Sequence, residues 1–161
     1  MAVHKLILDE DFDDAVYVLI AIHCRLEDYK LAYLLNKNLG TNLARKVSDI
    51  DAKNGRASYS IFEWKDEKQL TTWSLVSNIC KTEEILQTNY SSLFENEEKI
   101  TNIFHLLPEH KKVNYFLKIE GDQDPSKTKE ILDVILALPQ IATAYSIDAN
   151  QLKSKNNLIF N

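Results

Sequence analysis

Nine consecutive residues, Val16-Tyr17-Val18-Leu19-Ile20-Ala21-Ile22-His23-Cys24, carry apolar side chains on both faces of an extended strand. Successive strand residues point to opposite sides, so Val16, Val18, Ile20, Ile22 and Cys24 share one face and Tyr17, Leu19 and Ala21 fill the other. A strand of this kind cannot lie on a solvated edge. It needs neighbours on both sides and a layer of structure above and below, which places it centrally in a sheet. The chain has the material for that: 161 residues, 45% of them apolar, are enough for one domain with a substantial core.

A helix is predicted over 27–39, where Leu31, Leu35 and Leu39 recur every fourth residue and Gly40 suits the left-handed position past a helix end. Residues 43–50 are a strand candidate, followed by the turn signal Asn54-Gly55. Residues 57–65 and 70–80 read as a long hairpin around 66–69, with Phe62 opposite Trp73 and Ser60 opposite Leu75. In that register Trp64 shares the face of Phe62 and Trp73, while Tyr59, Ile61 and Val76 take the other. A one-residue slip would reverse the second strand.

The polar, acidic stretch 82–99 is expected as a covering loop, and 100–107 with 113–120 as a second hairpin whose tip is 108–112. Asp124 and Pro125 suit the N-cap and first position of a helix whose apolar stripe is Ile131, Leu132, Ile135 and Leu138, stopped at Pro139. A strand over 141–147 follows. Residues 3–8 are a further strand candidate. The expected organisation is one domain over 1–149 and a polar tail over 150–161 that docks as a short strand or stays loose.

The stretch Leu107-Pro108-Glu109-His110-Lys111-Lys112-Val113-Asn114-Tyr115 resembles the motif of the IPExxxVDY family, small bacterial proteins with no established activity. Leu107 stands where the pattern has Ile, and Asn114 where it has Asp. His4-Lys5-Leu6, the run 26–33, Ser60-Ile61-Phe62-Glu63-Trp64 and Trp73-Ser74-Leu75-Val76-Ser77-Asn78 are similar to the same family, so the resemblance reaches to about Ile119. It implies a shared fold and carries over no catalytic residues. Of the motif positions Leu107, Pro108, Glu109, Val113, Asn114 and Tyr115, the departure at Asn114 has most physical content. A carboxylate can act as general base or anionic metal ligand at neutral pH and an amide cannot, whereas both can orient a turn or strand end by hydrogen bonding. A structural role is the favoured reading.

Reactive constellations are weak. Asp9, Asp11 and Asp13 have the spacing that opens a calcium loop, but the sixth and twelfth places hold Asp14 and Ile20 instead of Gly and Glu. His23 and Cys24 are neighbours on a strand, so their side chains diverge; activating Cys24 would need another base such as His105. His105 and His110 match no zinc-ligand spacing. Three glycines build no phosphate loop, and Cys24 and Cys80 build no disulfide framework. No cofactor or metal is implied.

A net charge of −5 disfavours nucleic-acid binding. The start Met1-Ala2-Val3-His4-Lys5 lacks the apolar core of a secretory signal, and no apolar run approaches a membrane span, so a cytoplasmic location is expected. The expected fold is α+β, a mostly antiparallel sheet of about six to eight strands with two main helices on one face, close to an expanded ferredoxin-like arrangement. The expected function is non-catalytic: binding a protein partner or a second copy, with Phe62, Trp64 and Trp73 as a candidate partner face. A small-ligand regulatory domain is the alternative, and an enzyme using Glu109, His105 or Cys24 the third class.

Overall fold

The computed structural model describes residues 16–86, 98–121 and 124–160. The strand candidate at 3–8 and the acidic turn at 9–14 lie outside them. In chain order the elements are β1 (Tyr17–Cys24), α1 (Asp28–Leu39), β2 (Ala44–Arg45), β3 (Ile50–Ala52), β4 (Ala57–Tyr59), β5 (Ile61–Asp66), β6 (Thr71–Ser77), β7 (Ile79–Leu86), β8 (Glu98–His105), β9 (Tyr115–Glu120), α2 (Pro125–Leu136) and β10 (Ile141–Ile147). Short 3-10 turns cover Pro108–His110, Ala149–Gln151 and Lys155–Leu158.

The fold is α+β. Six strands form an antiparallel sheet in the order β10-β1-β9-β6-β5-β2, and two-stranded ribbons β3-β4 and β7-β8 stand apart from it. The doubly apolar β1 has β10 on one side and β9 on the other, the central position that its composition suggests. Within the sheet β9 lies between β1 and β6 while β1 lies between β9 and β10, the interleaving of a split strand-helix-strand pair.

The alternation along β1 divides the core in two. Ile20, Ile22 and Cys24 join one hydrophobic cluster with Leu31, Ala32 and Leu35 of α1, Ile135 of α2, and Trp73, Leu75, Leu117 and Ile119 of the sheet. Leu19 and Ala21 join a second with Val76, Phe116, Tyr59 and Cys80, closed by Leu106, Leu107, Leu152 and Leu158. Gly40 ends α1 at φ +67°, the left-handed conformation that favours glycine. Asp124 caps α2 by accepting from the Ser126 N–H at 3.1 Å.

Four expectations need correction. The β5-β6 hairpin pairs Asp66 with Thr71 in place of Lys65 with Leu70, so Trp64 faces Trp73 and Phe62 faces Leu75; residues 57–59 leave it to pair with β3, and 79–80 to pair with β8. The Asp66 carboxylate accepts the Lys68 N–H at 3.0 Å and so closes the turn. A two-residue shift preserves parity, and Phe62, Trp64, Trp73 and Leu75 still share a face. Second, most of 43–50 is not strand. Asn36 holds the Leu43 N–H and C=O at 2.8 and 3.1 Å, leaving only Ala44 and Arg45 to pair with β5.

Third, Thr82–Leu86 and Glu98–Lys99 are not a covering loop. They are ladder residues of the β7-β8 ribbon. Fourth, β8 pairs with β7, and β9 inserts between β1 and β6, so 100–107 and 113–120 are not one hairpin.

The fourth correction has one physical cause, Asn78. It is fully buried at the point where β6 leaves the sheet to become β7. Its side-chain oxygen accepts the Leu107 N–H at 2.8 Å, and its amide donates to the carbonyls of His110 and Val113, each at 2.8 Å. Its own N–H donates to the Asn114 carbonyl at 3.0 Å, and its carbonyl accepts from Leu106 N–H at 2.9 Å. Segment 106–114 therefore crosses from the ribbon to the sheet instead of turning back.

The segment expected as a polar tail docks on the second cluster as two 3-10 turns, with Leu152 and Leu158 buried. The Lys118 ammonium donates to the Leu158 carbonyl at 2.7 Å, pairs with Glu120, and lies 4.7 Å and 4.9 Å from the ring centres of Tyr17 and Phe160. Burying each leucine contributes about 1.5–3 kcal/mol, enough to hold a short segment whose backbone is also paired.

Asn78→Ala should cost about 2–4 kcal/mol in urea unfolding, because it strands the buried Leu107 N–H and Val113 carbonyl and leaves the His110 carbonyl with the Val113 N–H alone. A loss below about 1 kcal/mol would mean that water replaces the amide and that Asn78 is not the junction.

Candidate functional site

The motif residues come together, and what they hold is backbone. Leu107 and Val113 are buried plugs of the second cluster. Pro108 opens the 3-10 turn that the His110 N–H closes onto the Leu107 carbonyl at 3.0 Å. The Glu109 carboxylate accepts the N–H groups of Lys153 and Ser154 at 3.1 and 3.2 Å and the Ser154 hydroxyl at 2.6 Å. Partial burial acts to raise the Glu109 pKa, but these hydrogen bonds to the charged form outweigh it and hold it below the usual value. Asn114 accepts the Cys24 N–H through its side-chain oxygen at 3.1 Å, and its own N–H reaches the Ile22 carbonyl at 3.2 Å. Tyr115 donates its hydroxyl to the Leu26 carbonyl at 2.6 Å, and burial pushes its pKa far up. The stretch thus ties β1, the entry to α1 and the C-terminal segment to one crossing.

The reactive candidates stay apart. Cys24 sits in the first cluster, where burial raises its thiol pKa despite a hydrogen bond with Leu26, the opposite of what a nucleophile needs. His23 points elsewhere, its Nε2 lying 3.0 Å from the Tyr145 hydroxyl. His105 is on β8 opposite Ile79, and His110 packs edge-on against Phe116. Among the described residues no group of three or more His, Cys, Asp or Glu could hold a metal ion.

Phe62 and Trp73, two members of the candidate partner face, are buried with α1 in the first cluster; Trp64 is half-buried. What opens to solvent is the rim of that cluster. Trp64 and Trp73 lie 6.1 Å apart with rings tilted by 45°, and the Trp73 indole N–H donates to the Thr71 hydroxyl at 3.2 Å. Two adjoining hollows share Leu39, Gln69 and Trp73. One, about 510 Å³, runs past Gly40, Thr41 and Trp64 to the β5-β6 turn. The other, about 350 Å³, runs past Ile131 and Val134 of α2.

Together they make a groove between the C-terminus of α1, the β5-β6 turn and one face of α2. Its charged rim, Lys65, Lys68 and Lys127 against Asp66, Glu67 and Glu130, balances to zero. The tryptophans are visible in the sequence as members of one hairpin face, though not as direct partners. Leu39 and Ile131 are visible only as members of apolar helix stripes, and nothing local marks Gln69 or Val134 as walls of the same groove.

No family model, no curated protein and no solved structure matches this chain. No described helix is long and apolar enough to cross a membrane.

Two outcomes test the scaffold reading of the motif. Asn114→Asp keeps the oxygen that accepts from Cys24 and should change stability by less than about 1 kcal/mol, whereas Asn114→Leu removes it and should cost about 1–3 kcal/mol. For Glu109, a folded pKa below the unfolded one means stability that is present above the ordinary glutamate range and lost as pH falls through the folded value. The advantage of the natural chain over Glu109→Gln in urea unfolding should therefore be largest at neutral pH and vanish in acid.

Proposed function

We propose that this chain is a non-catalytic binding module that engages a protein partner through the tryptophan groove, and that its nine-residue stretch places it with the IPExxxVDY proteins. The observation that carries the binding reading is the placement of the chain's only two tryptophans, Trp64 and Trp73, on one solvent-open groove. Large aromatics at the rim of a core supply contact area at low entropic cost, and they dominate protein interfaces. The half-buried Trp64 is the anchor on offer, with Leu39, Ile131 and Val134 beside it.

The groove volume also falls within the range of small-ligand sites. The second reading, a ligand-binding regulatory domain, is less favoured because the polar groups stand on the rim. Thr41, which is inside, already donates its hydroxyl to Asn36 at 2.8 Å. An enzymatic reading has less support, since Glu109, His105 and Cys24 occupy separate surroundings. Two buried free thiols fit a reducing, cytoplasmic compartment.

Val134→Glu places a charge in the groove without removing a core side chain. A partner recovered on the natural chain from its native cells should bind this variant weaker by on the order of tenfold, with circular dichroism unchanged. The same partner should shift the tryptophan emission of the natural chain beyond the sum of the two separate spectra, since both tryptophans of the chain line the groove. Equal binding by both chains, with emission unmoved, would place the interface elsewhere.

A further inference from the structure

The groove coincides with a break in the edge of the sheet. β2 covers β5 only at Phe62 and Glu63, while β5 continues to Asp66. The Lys46 N–H bonds to the Ile61 carbonyl at 3.0 Å, which fixes the alternation of the ladder. Peptide groups of Ile61, Glu63 and, by the same period, Lys65 turn away from β6. The residues that would have covered Lys65 are drawn off by Asn36, which takes the Leu43 N–H, the Leu43 carbonyl and the Thr41 hydroxyl. The edge therefore opens at Lys65, beside Leu39, Gly40, Thr41 and Trp64, which line the larger hollow.

We propose that this is a strand-addition site: an extended segment of a partner protein pairs with the Lys65 peptide group and seats a large uncharged side chain on Trp64. The inference rests on the groove being the binding surface, and it names the conformation and chemistry of what binds there. In such a pairing the partner residue opposite Trp64 has its Cβ about 4.5–5.5 Å from that of Trp64, on the same face and over the hollow. The partner residue opposite Lys65 points to the other side, so selection falls on alternate positions. The hollow's own charges, Lys65 and Lys68 against Asp66 and Glu67, cancel. The Asp66 carboxylate is further occupied by the N–H groups of Lys68 and Gln69. Nothing there repays burial of a charged partner side chain, whereas the indole ring rewards an aromatic or branched aliphatic one.

Random peptides of about twelve residues, displayed on phage and selected against the full chain, supply the probe. Selected peptides should share one large apolar residue with uncharged residues two positions away on either side, its immediate neighbours varying, and should shift tryptophan emission on titration. In hydrogen exchange the bound peptide should slow the Lys65 amide roughly tenfold, the effect of one added hydrogen bond. Trp64→Ala should weaken binding on the order of tenfold while circular dichroism stays unchanged, and Trp64→Phe should recover most of it. Peptides that shift emission but leave the Lys65 amide unprotected, or that bind as helices, overturn strand addition and leave the groove as the interface. Peptides that bind without moving emission overturn both. Sedimentation showing a dimer of the natural chain that Trp64→Ala converts to monomer overturns the proposal as well.

Discussion

One buried carboxamide organises this molecule. At Asn78 a strand leaves the six-stranded sheet, and every polar atom of that residue is engaged by the crossing segment that returns the chain to the sheet. A buried amide without partners costs far more than its hydrogen bonds contribute when made, so the site tolerates one arrangement. That arrangement sets Leu106, Leu107 and Val113 over the second cluster. It also delivers Asn114 and Tyr115 to the end of β1 and the entry to α1, and presents Glu109 to the C-terminal segment. The two clusters on either face of β1 are closed by the same stretch of chain.

What could be read from the sequence follows from the range of the forces involved. β1, both helices and β10 were legible because period, cap and breaker residues act within a few positions: the double-faced apolar run, Gly40 after α1, Asp124-Pro125 before α2. Side-chain facing on β5 and β6 was legible even though their register was not, because parity survives a two-residue shift while the turn chemistry of Asp66 does not announce itself. Strand partnership was the opaque part. Whether β8 turns back on β9 or pairs with β7 depends on Asn78, nearly thirty residues from the backbone N–H of Leu107 that it binds. The C-terminal segment reads as a polar tail, loose or docked as a short strand, because its composition is polar. Ser154 and Asn157 spend that polarity on Glu109 and on the Leu106 carbonyl, and Leu152 and Leu158 were too sparse to signal burial.

The candidate site divides in the same way. The tryptophans stood out because they are large and share one face of a hairpin, but their exposure is a property of three elements meeting. Phe62 and Trp73 went to the core, and Trp64 was left at the rim. The family-like stretch and the groove thus carry separate duties. Side chains of Glu109, Asn114 and Tyr115 are committed to backbone partners in other segments, so their chemistry is spent on scaffold. The half-buried indole of Trp64 and the Lys65 edge retain capacity for another molecule. At position 114 an accepting oxygen is what the Cys24 N–H requires, and Asn supplies it as Asp would.

Native-state hydrogen exchange tests the central claim most directly, because it reports the opening free energy of each amide in the intact chain. If the Asn78 crossing is the keystone, the amides of Asn78, Leu106, Leu107 and Cys24 exchange only through global unfolding, with the same free energy and urea dependence as Ile20 in the middle of β1. Exchange of Leu106 and Leu107 through a local opening several kcal/mol below that of Ile20, insensitive to urea, would show that the crossing frays while the sheet stands, and would contradict the account.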